Sequence, residues 1–200
     1  MIALYVIKLL EKKLIKGLKK SAGRCHTGRV TVRGQGGGGK VNYRALDLYR
    51  RINMYGVLIR ILYDPYRTGK LGLILFENGV CSLILIQKNT KVMGAIYLGG
   101  GSLYKGDAVK NGYSMPLLNM PLFSILSNIE FKPFKGGGLC RASDTSSMLV
   151  GKSKGKGVLK LNSNWELRLP LSCMSSYGSI SGRLLNNIYI KKAGKSRGMG

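Results

Sequence analysis

The sequence predicts a mostly β protein built from small barrels, and three observations carry that reading. From Val30 to Leu98, short runs of branched and aromatic residues alternate with turn residues, and the second half repeats the style. Asn78-Gly79 falls between two apolar runs, the strongest short-range signal for a hairpin. Hydrophobic residues make up 44% of the chain, enough for cores, yet charge or glycine interrupts every apolar run before it could span a bilayer. Two hundred residues accommodate one domain or two small ones.

Taken in order, residues 2 to about 20 predict an amphipathic helix. Ile7, Leu10, Leu14 and Leu18 follow helical spacing, with Lys8, Lys12, Lys16, Lys19 and Lys20 on the other side. A mitochondrial transit peptide is the rival, but Glu11 and the lack of Arg or Ser before Ser21 favour a helix kept in the working chain. Val30 to Arg33 alternates as a strand. Val57 to Tyr63 predicts a second strand, ended by Asp64-Pro65. Leu71–Phe76 and Val80–Ile86 form the hairpin around Asn78-Gly79, and Val92–Leu98 completes the set. Gly99 to Ser102 then marks a boundary.

In the second half, Met115-Pro116 and Met120-Pro121 pin an extended connection, because proline denies a helix to the residue before it. Ile125 to Phe131 predicts a strand, followed by a basic glycine loop from Lys132 to Gly138. Met148–Val150, Val158–Leu161 and Trp165–Leu169 predict further strands, the last two joined by a turn at Asn162-Ser163-Asn164. Trp165 is expected as a core or strand-surface filler. The tail from Lys191 to Gly200 is basic and too poor in apolar residues to pack.

Charge narrows the function. Lys and Arg number 33 against 8 acids, a net charge of +25, and a field of that strength selects polyanions, nucleic acid before membrane. The stretch from Arg24 to Arg51 concentrates it, with seven cations against Asp47 alone and a glycine run from Gly36 to Gly39. Glycines let backbone N–H groups approach a bulky anion, the expected role of Gly36, Gly37 and Gly38; a merely flexible loop is the plain alternative. Gly34 to Lys40 also fits most of a P-loop, but Val41 stands where a magnesium-binding hydroxyl belongs, and no amphipathic helix follows.

Catalysis has little support. His26 is the sole histidine, and a Cys25–His26 pair would join sequence neighbours that seldom aim at each other. The acids are scattered singly, with no pair suited to acid–base work. Cys25, Cys81, Cys140 and Cys173 lie far apart, with no zinc or disulfide signature. No cofactor is expected, beyond magnesium ions carried by a bound RNA.

Several stretches together resemble one family. They are GR…GRVTVRGQGGGGK…YRALDLYRR, YDPYR, LILFENGVCSLIL, NGYSMPLLNMP, NIEFKPFKGGGLCRAS and KAGKSRG, in that order from Arg24 to Gly198. They are similar to the universal large-subunit ribosomal protein family called L two. The resemblance implies an OB-like barrel then an SH3-like barrel with basic extensions: an N-terminal extension at 1–27, barrels at 28–108 and 109–188, and a tail at 189–200. It implies a non-enzymatic constituent that organises large-subunit ribosomal RNA near the peptidyl-transferase region, beside neighbouring ribosomal proteins. Arg24, Arg29, Arg33, Lys40 and Arg44 then occupy RNA-facing motif positions, with Arg50 and Arg51 closing the segment. Arg67, Lys132, Lys135 and Arg141 belong to the same expectation, as do Lys191, Lys192, Lys195 and Arg197 in the tail.

Two departures qualify it. Bacterial-type members carry a histidine where this chain has Gly39, and they continue past KAGKSRG into a histidine- and glycine-rich extension. The expectation is that a separate polypeptide supplies that part. Abundant Leu, Ile, Lys, Asn and Tyr suit an AT-rich organellar genome and point to a mitochondrial ribosome, with a plastid or the bacterial cytoplasm as alternatives. The rival function is a free-standing OB-type binder of single-stranded nucleic acid, for which Tyr43, Tyr49, Tyr55 and Tyr63 would supply stacking faces.

Overall fold

A computed structural model describes residues 9–36, 39–99, 108–182 and 191–194. Gly37, Gly38, Lys195 and Arg197 lie outside them, as does most of the glycine stretch expected to mark the boundary. The described chain forms two small β-barrels in tandem. Two short strands come first, β1 (Ile15–Gly17) and β2 (Asn42–Arg44), paired antiparallel. The first barrel follows with β3 (Met54–Leu62), β4 (Leu71–Phe76), β5 (Cys81–Leu85) and β6 (Ala95–Leu98). The second contains β7 (Ser114–Pro116), a 3-10 turn at Leu117–Asn119, β8 (Ile125–Ser127), β9 (Ile129–Glu130) and β10 (Gly137–Leu139). It ends with β11 (Ser147–Ser153), β12 (Lys156–Leu161), β13 (Glu166–Pro170) and β14 (Met174–Tyr177).

Residue alternation explains the first barrel. Ile74 and Phe76 of β4 enter one core with Leu58, Ile84, Ile86, Ile96 and Leu98. Leu71, at odd register on the same strand, enters another with Leu85 and Ile180. The β4–β5 hairpin turns as its sequence predicts: Gly79 takes a φ of +78°, its N–H meets the Phe76 carbonyl at 2.9 Å, and the Asn78 side chain accepts the Val80 N–H at 3.0 Å.

The halves are sewn together from both sides. Sheet pairing runs β13-β12-β11-β8-β14-β7-β6-β3-β4-β5, crossing between barrels at the parallel contact Leu98↔Ser114. Tyr97 of β6 packs in the second barrel's core with Tyr113, Met115 and Leu126. In return, Ile180, beyond β14, fills a core of the first.

Three expectations give way. The helix expected over residues 2–20 is confined, among described residues, to 9–13, because Ile15↔Arg44 and Gly17↔Asn42 pairing draws the following residues into β1. Helix propensity is a weak prior when a strand partner is at hand. Val30 to Arg33 is not a strand; only Val30 makes an isolated bridge, to Arg24, and both Val30 and Val32 are exposed, without the buried face that alternation needs. Trp165 is no core residue but 73% exposed, because it immediately follows the Asn162-Ser163-Asn164 turn, at the solvent end of the β12–β13 hairpin.

Candidate nucleic-acid interface

The first cationic element is a loop that rests on its own backbone. The Thr31 and Val32 N–H groups both meet the Gly23 carbonyl, at 2.9 and 3.1 Å. Cys25 N–H donates to the Arg29 carbonyl at 2.9 Å, and the Arg24 guanidinium donates to the Gly28 carbonyl at 3.0 Å. Lys20 Nζ ties the far end by donating to the Gly39 carbonyl at 2.9 Å. Arg24, Arg29, Arg33 and Lys40 are all exposed on this frame. Gly23 is essential to it: its φ is +71°, and an added Cβ would collide with the Val32 carbonyl oxygen. Gly23→Ala should therefore cost about 1–3 kcal/mol and expose residues 21–34 to protease. An unchanged denaturation midpoint and cleavage pattern would refute this.

No nucleotide cradle forms here. The residues after Gly34–Lys40 enter strand β2, not a helix, so the helix N-terminus a P-loop needs is missing. Nor does Cys25 use His26: its Sγ lies 2.8 Å from Thr27 Oγ1, a hydrogen bond that holds the thiol below its ordinary range. Among the described residues no group of His, Cys, Asp or Glu could hold a metal ion.

The second element is the YDPYR motif. Asp64 is buried and accepts the Tyr66 N–H at 3.0 Å, closing an Asx turn. Its carboxylate also takes Arg67 at 2.7 Å and draws in Arg44 at 3.8 Å. The Arg67 guanidinium sits 5.5 Å from the Tyr43 ring centroid. Burial alone would lower the Arg67 pKa, but the hydrogen bonds with Asp64 and Tyr43 outweigh it and raise the value. Both arginines are half-buried; Arg67 is held by hydrogen bonds, whereas Arg44 meets Asp64 as an ion pair alone.

The third element is the basic glycine loop, built around Glu130. This carboxylate has no solvent exposure and accepts three donors: Arg51 Nη2 at 2.8 Å, Gly136 N–H at 3.1 Å and Met174 N–H at 3.0 Å. It fixes the loop to Arg51 at the end of the Arg24–Arg51 segment. Gly137 N–H completes the joint at the Leu48 carbonyl, 2.9 Å away. Arg51 then lies against Phe134, its Cζ 3.9 Å from the ring centroid. Lys132, Lys135 and Arg141 are exposed around this loop. Ser143 N–H reaches Thr68 Oγ1 at 3.0 Å, so Arg141 and Arg67 lie in neighbouring segments. Stretches far apart in sequence thus meet in pairs, the Arg67 segment with the Arg141 segment and Arg51 with the basic glycine loop. Lys191 and Lys192 are exposed on a separate short described piece.

Arg50 must be struck from the surface set. It is fully buried, its guanidinium donating to Ser114 Oγ at 3.0 Å, to the Asn128 carbonyl at 2.6 Å and to Ser176 Oγ. Burial pulls its pKa down to about 10, against the opposing charges of Asp47 and Glu130. The reason is tertiary: in a cationic run, only the sheet behind it decides which arginine turns inward. Sequence reasoning missed Glu130, Asp64 and Phe134. For Glu130 one signal existed, a lone acid ending an apolar strand directly before a basic loop.

Comparison with known proteins agrees with this architecture. The model for "Ribosomal Proteins L2, RNA binding N-terminal domain" matches residues 11–97, and that for "Ribosomal Proteins L2, C-terminal domain" matches residues 110–200. The chain is 39% identical over 190 residues to the large ribosomal subunit protein uL2 of Parvibaculum lavamentivorans, covering 94% of this chain and 66% of that protein. It is 40% identical over 186 residues to the uL2 of Brucella abortus, with coverage of 92% and 65%. It spans slightly less than two thirds of the length of these relatives. With the two family models matched in tandem along two tandem barrels, the chain belongs to the L2 family of ribosomal proteins.

Proposed function

We propose that the chain is a structural constituent of the large ribosomal subunit that binds and organises large-subunit ribosomal RNA, without enzymatic activity of its own. The observation that carries this reading is the set of cationic elements, in which buried Asp64 anchors Arg67 and draws in Arg44, buried Glu130 anchors Arg51, and Arg24, Arg29, Arg33, Lys40, Lys132, Lys135 and Arg141 are exposed. Fixed guanidinium forks suit phosphate oxygens, and a rigid cationic surface lets RNA strands that repel one another lie close. Gly36, Gly37 and Gly38 complete the proposed contact surface, and Lys191, Lys192, Lys195 and Arg197 extend it through the tail.

The free-standing single-strand binder finds no support in the tyrosines. Tyr55 packs against the second barrel's core and Tyr43 lies edge-on to Tyr66 beneath Arg67, leaving Tyr49 and Tyr63 exposed, one before and one after the nine-residue β3. They offer no common stacking face. The bias towards Leu, Ile, Lys, Asn and Tyr supports a mitochondrial ribosome as the location, whereas the named relatives are bacterial. Co-sedimentation with ribosomes from purified mitochondria tests this, and recovery only in a cytosolic fraction refutes it.

Salt dependence tests the RNA reading. If on the order of eight phosphates are neutralised, log K for large-subunit RNA should fall against log salt with a slope of about −6 to −7. Changing Lys132 and Lys135 to alanine should make that slope shallower by roughly 1.5 to 2. A slope near zero for the unaltered protein would sink the proposal.

A further inference from the structure

Phe134 occupies a place its own fold does not reward. Lys132, Pro133, Phe134 and Lys135 make a tight turn, closed by the Lys135 N–H at 3.3 Å from the Lys132 carbonyl. Proline second and a positive φ third is the pattern of a type II turn, whose third position is ordinarily glycine. Here that position holds a phenylalanine with a φ of +65°, a conformation bulky side chains avoid. The ring gains little burial for this strain, being 72% exposed. What it does have is the Arg51 guanidinium against one face, 3.9 Å from its centroid, itself held by buried Glu130 at 2.8 Å.

We propose that Phe134 is a stacking platform for an unpaired base of RNA, a reading that rests on the RNA-binding role above and names the contact. The ring is ordered from below by Arg51 and open above. Exposed Lys132 and Lys135 stand on either side of it in the chain, placed for the phosphates that flank a splayed-out base. Any base offers a π face, so the platform accepts an unpaired nucleotide regardless of identity and rejects a continuous duplex. The flanking cations favour RNA over an apolar protein surface, since the Glu130 carboxylate that accepts the Gly136 N–H is buried and already satisfied.

The test uses the full chain and a transcript of large-subunit ribosomal RNA. Phe134→Gly relieves the backbone strain, so its melting temperature should equal or exceed that of the unaltered protein. Its Kd should nevertheless rise about tenfold with the salt slope unchanged, because stacking involves no counterion release. Phe134→Trp should bind within about twofold of the unaltered protein. A Phe134→Gly variant that binds as tightly as the unaltered protein would overturn the platform while leaving the RNA-binding role intact. A fall in melting temperature alongside the weaker binding would make Phe134 a structural residue and overturn it too. Unchanged RNA binding with loss of a neighbouring protein from reconstituted particles would assign the ring to a protein contact instead. Failure of the unaltered chain to bind the transcript would overturn platform and role together.

Discussion

Replacing Arg50 by methionine should destabilise the protein by about 3 kcal/mol and lower its melting temperature by roughly 6–12 °C. Methionine fills similar space and carries no charge, so a cavity is not the cause. The cost lies in what is left behind. Ser114 on β7, Ser176 on β14 and the Asn128 carbonyl between β8 and β9 all accept hydrogen bonds from this one guanidinium, and all three residues are fully buried. The two serines can partly satisfy each other, since their hydroxyls already touch. The Asn128 carbonyl loses its bond, and the carboxylates of Asp47 and Glu130 lose a nearby positive charge. Arg50→Lys should recover only part of the loss, because an ammonium cannot reproduce a planar fork aimed at several acceptors. At a temperature where both proteins are folded, the salt slope for RNA binding should be unchanged. A shallower slope with an intact melting temperature would return Arg50 to the RNA-facing set.

That residue also shows where the sequence stops being readable. The β4–β5 hairpin was legible because Asn78-Gly79 states its own turn geometry and the flanking strands are apolar. The cationic, polyanion-seeking character was legible because a net charge of +25 and clustered glycines are properties of composition. Strands β7 and β14 were not, since Ser114, Ser175 and Ser176 are buried polar residues that mimic a loop until the buried guanidinium is placed among them. Arg50 and Arg51 are adjacent and chemically identical, yet one is core and the other lies at the edge of the loop. The backbone there belongs to no strand and takes a φ of +49° at Arg50, so no local period announces which of the two turns inward. Phe134 was hidden for a similar reason: KPFKGGG reads as a loop, and only the Arg51 contact makes its ring a feature.

Glu130→Gln should match the Arg50 change in size, about 3 kcal/mol or 6–12 °C, and differ in consequence. The carboxylate offers both oxygens to three N–H donors, from Arg51, Gly136 and Met174. A glutamine offers one oxygen, and its amide N–H₂ must then face a donor. Arg51, only partly exposed, loses its counter-charge, so the substitution breaks an ion pair rather than replacing it. The loop from Lys132 to Gly138 loses an anchor, and its amide hydrogens should exchange faster than those of the first barrel. Because Lys132 and Lys135 ride on that loop, RNA affinity should fall beyond what global unfolding explains. Combining Glu130→Gln with Arg51→Met should cost less than the two single changes added together, since each removes the other's partner. Cys173 gives an independent readout. Burial first, and the Glu130 charge second, hold its thiol up to about 11. With that charge gone the thiol should ionise at lower pH, seen as a lower midpoint in the pH titration of the Cys173 Cβ chemical shift in the folded variant, a readout that needs no reagent to reach the buried sulfur. Strictly additive stability losses, together with an unmoved Cys173 titration, would show that Glu130 is a packing residue and not the hub that fixes the loop.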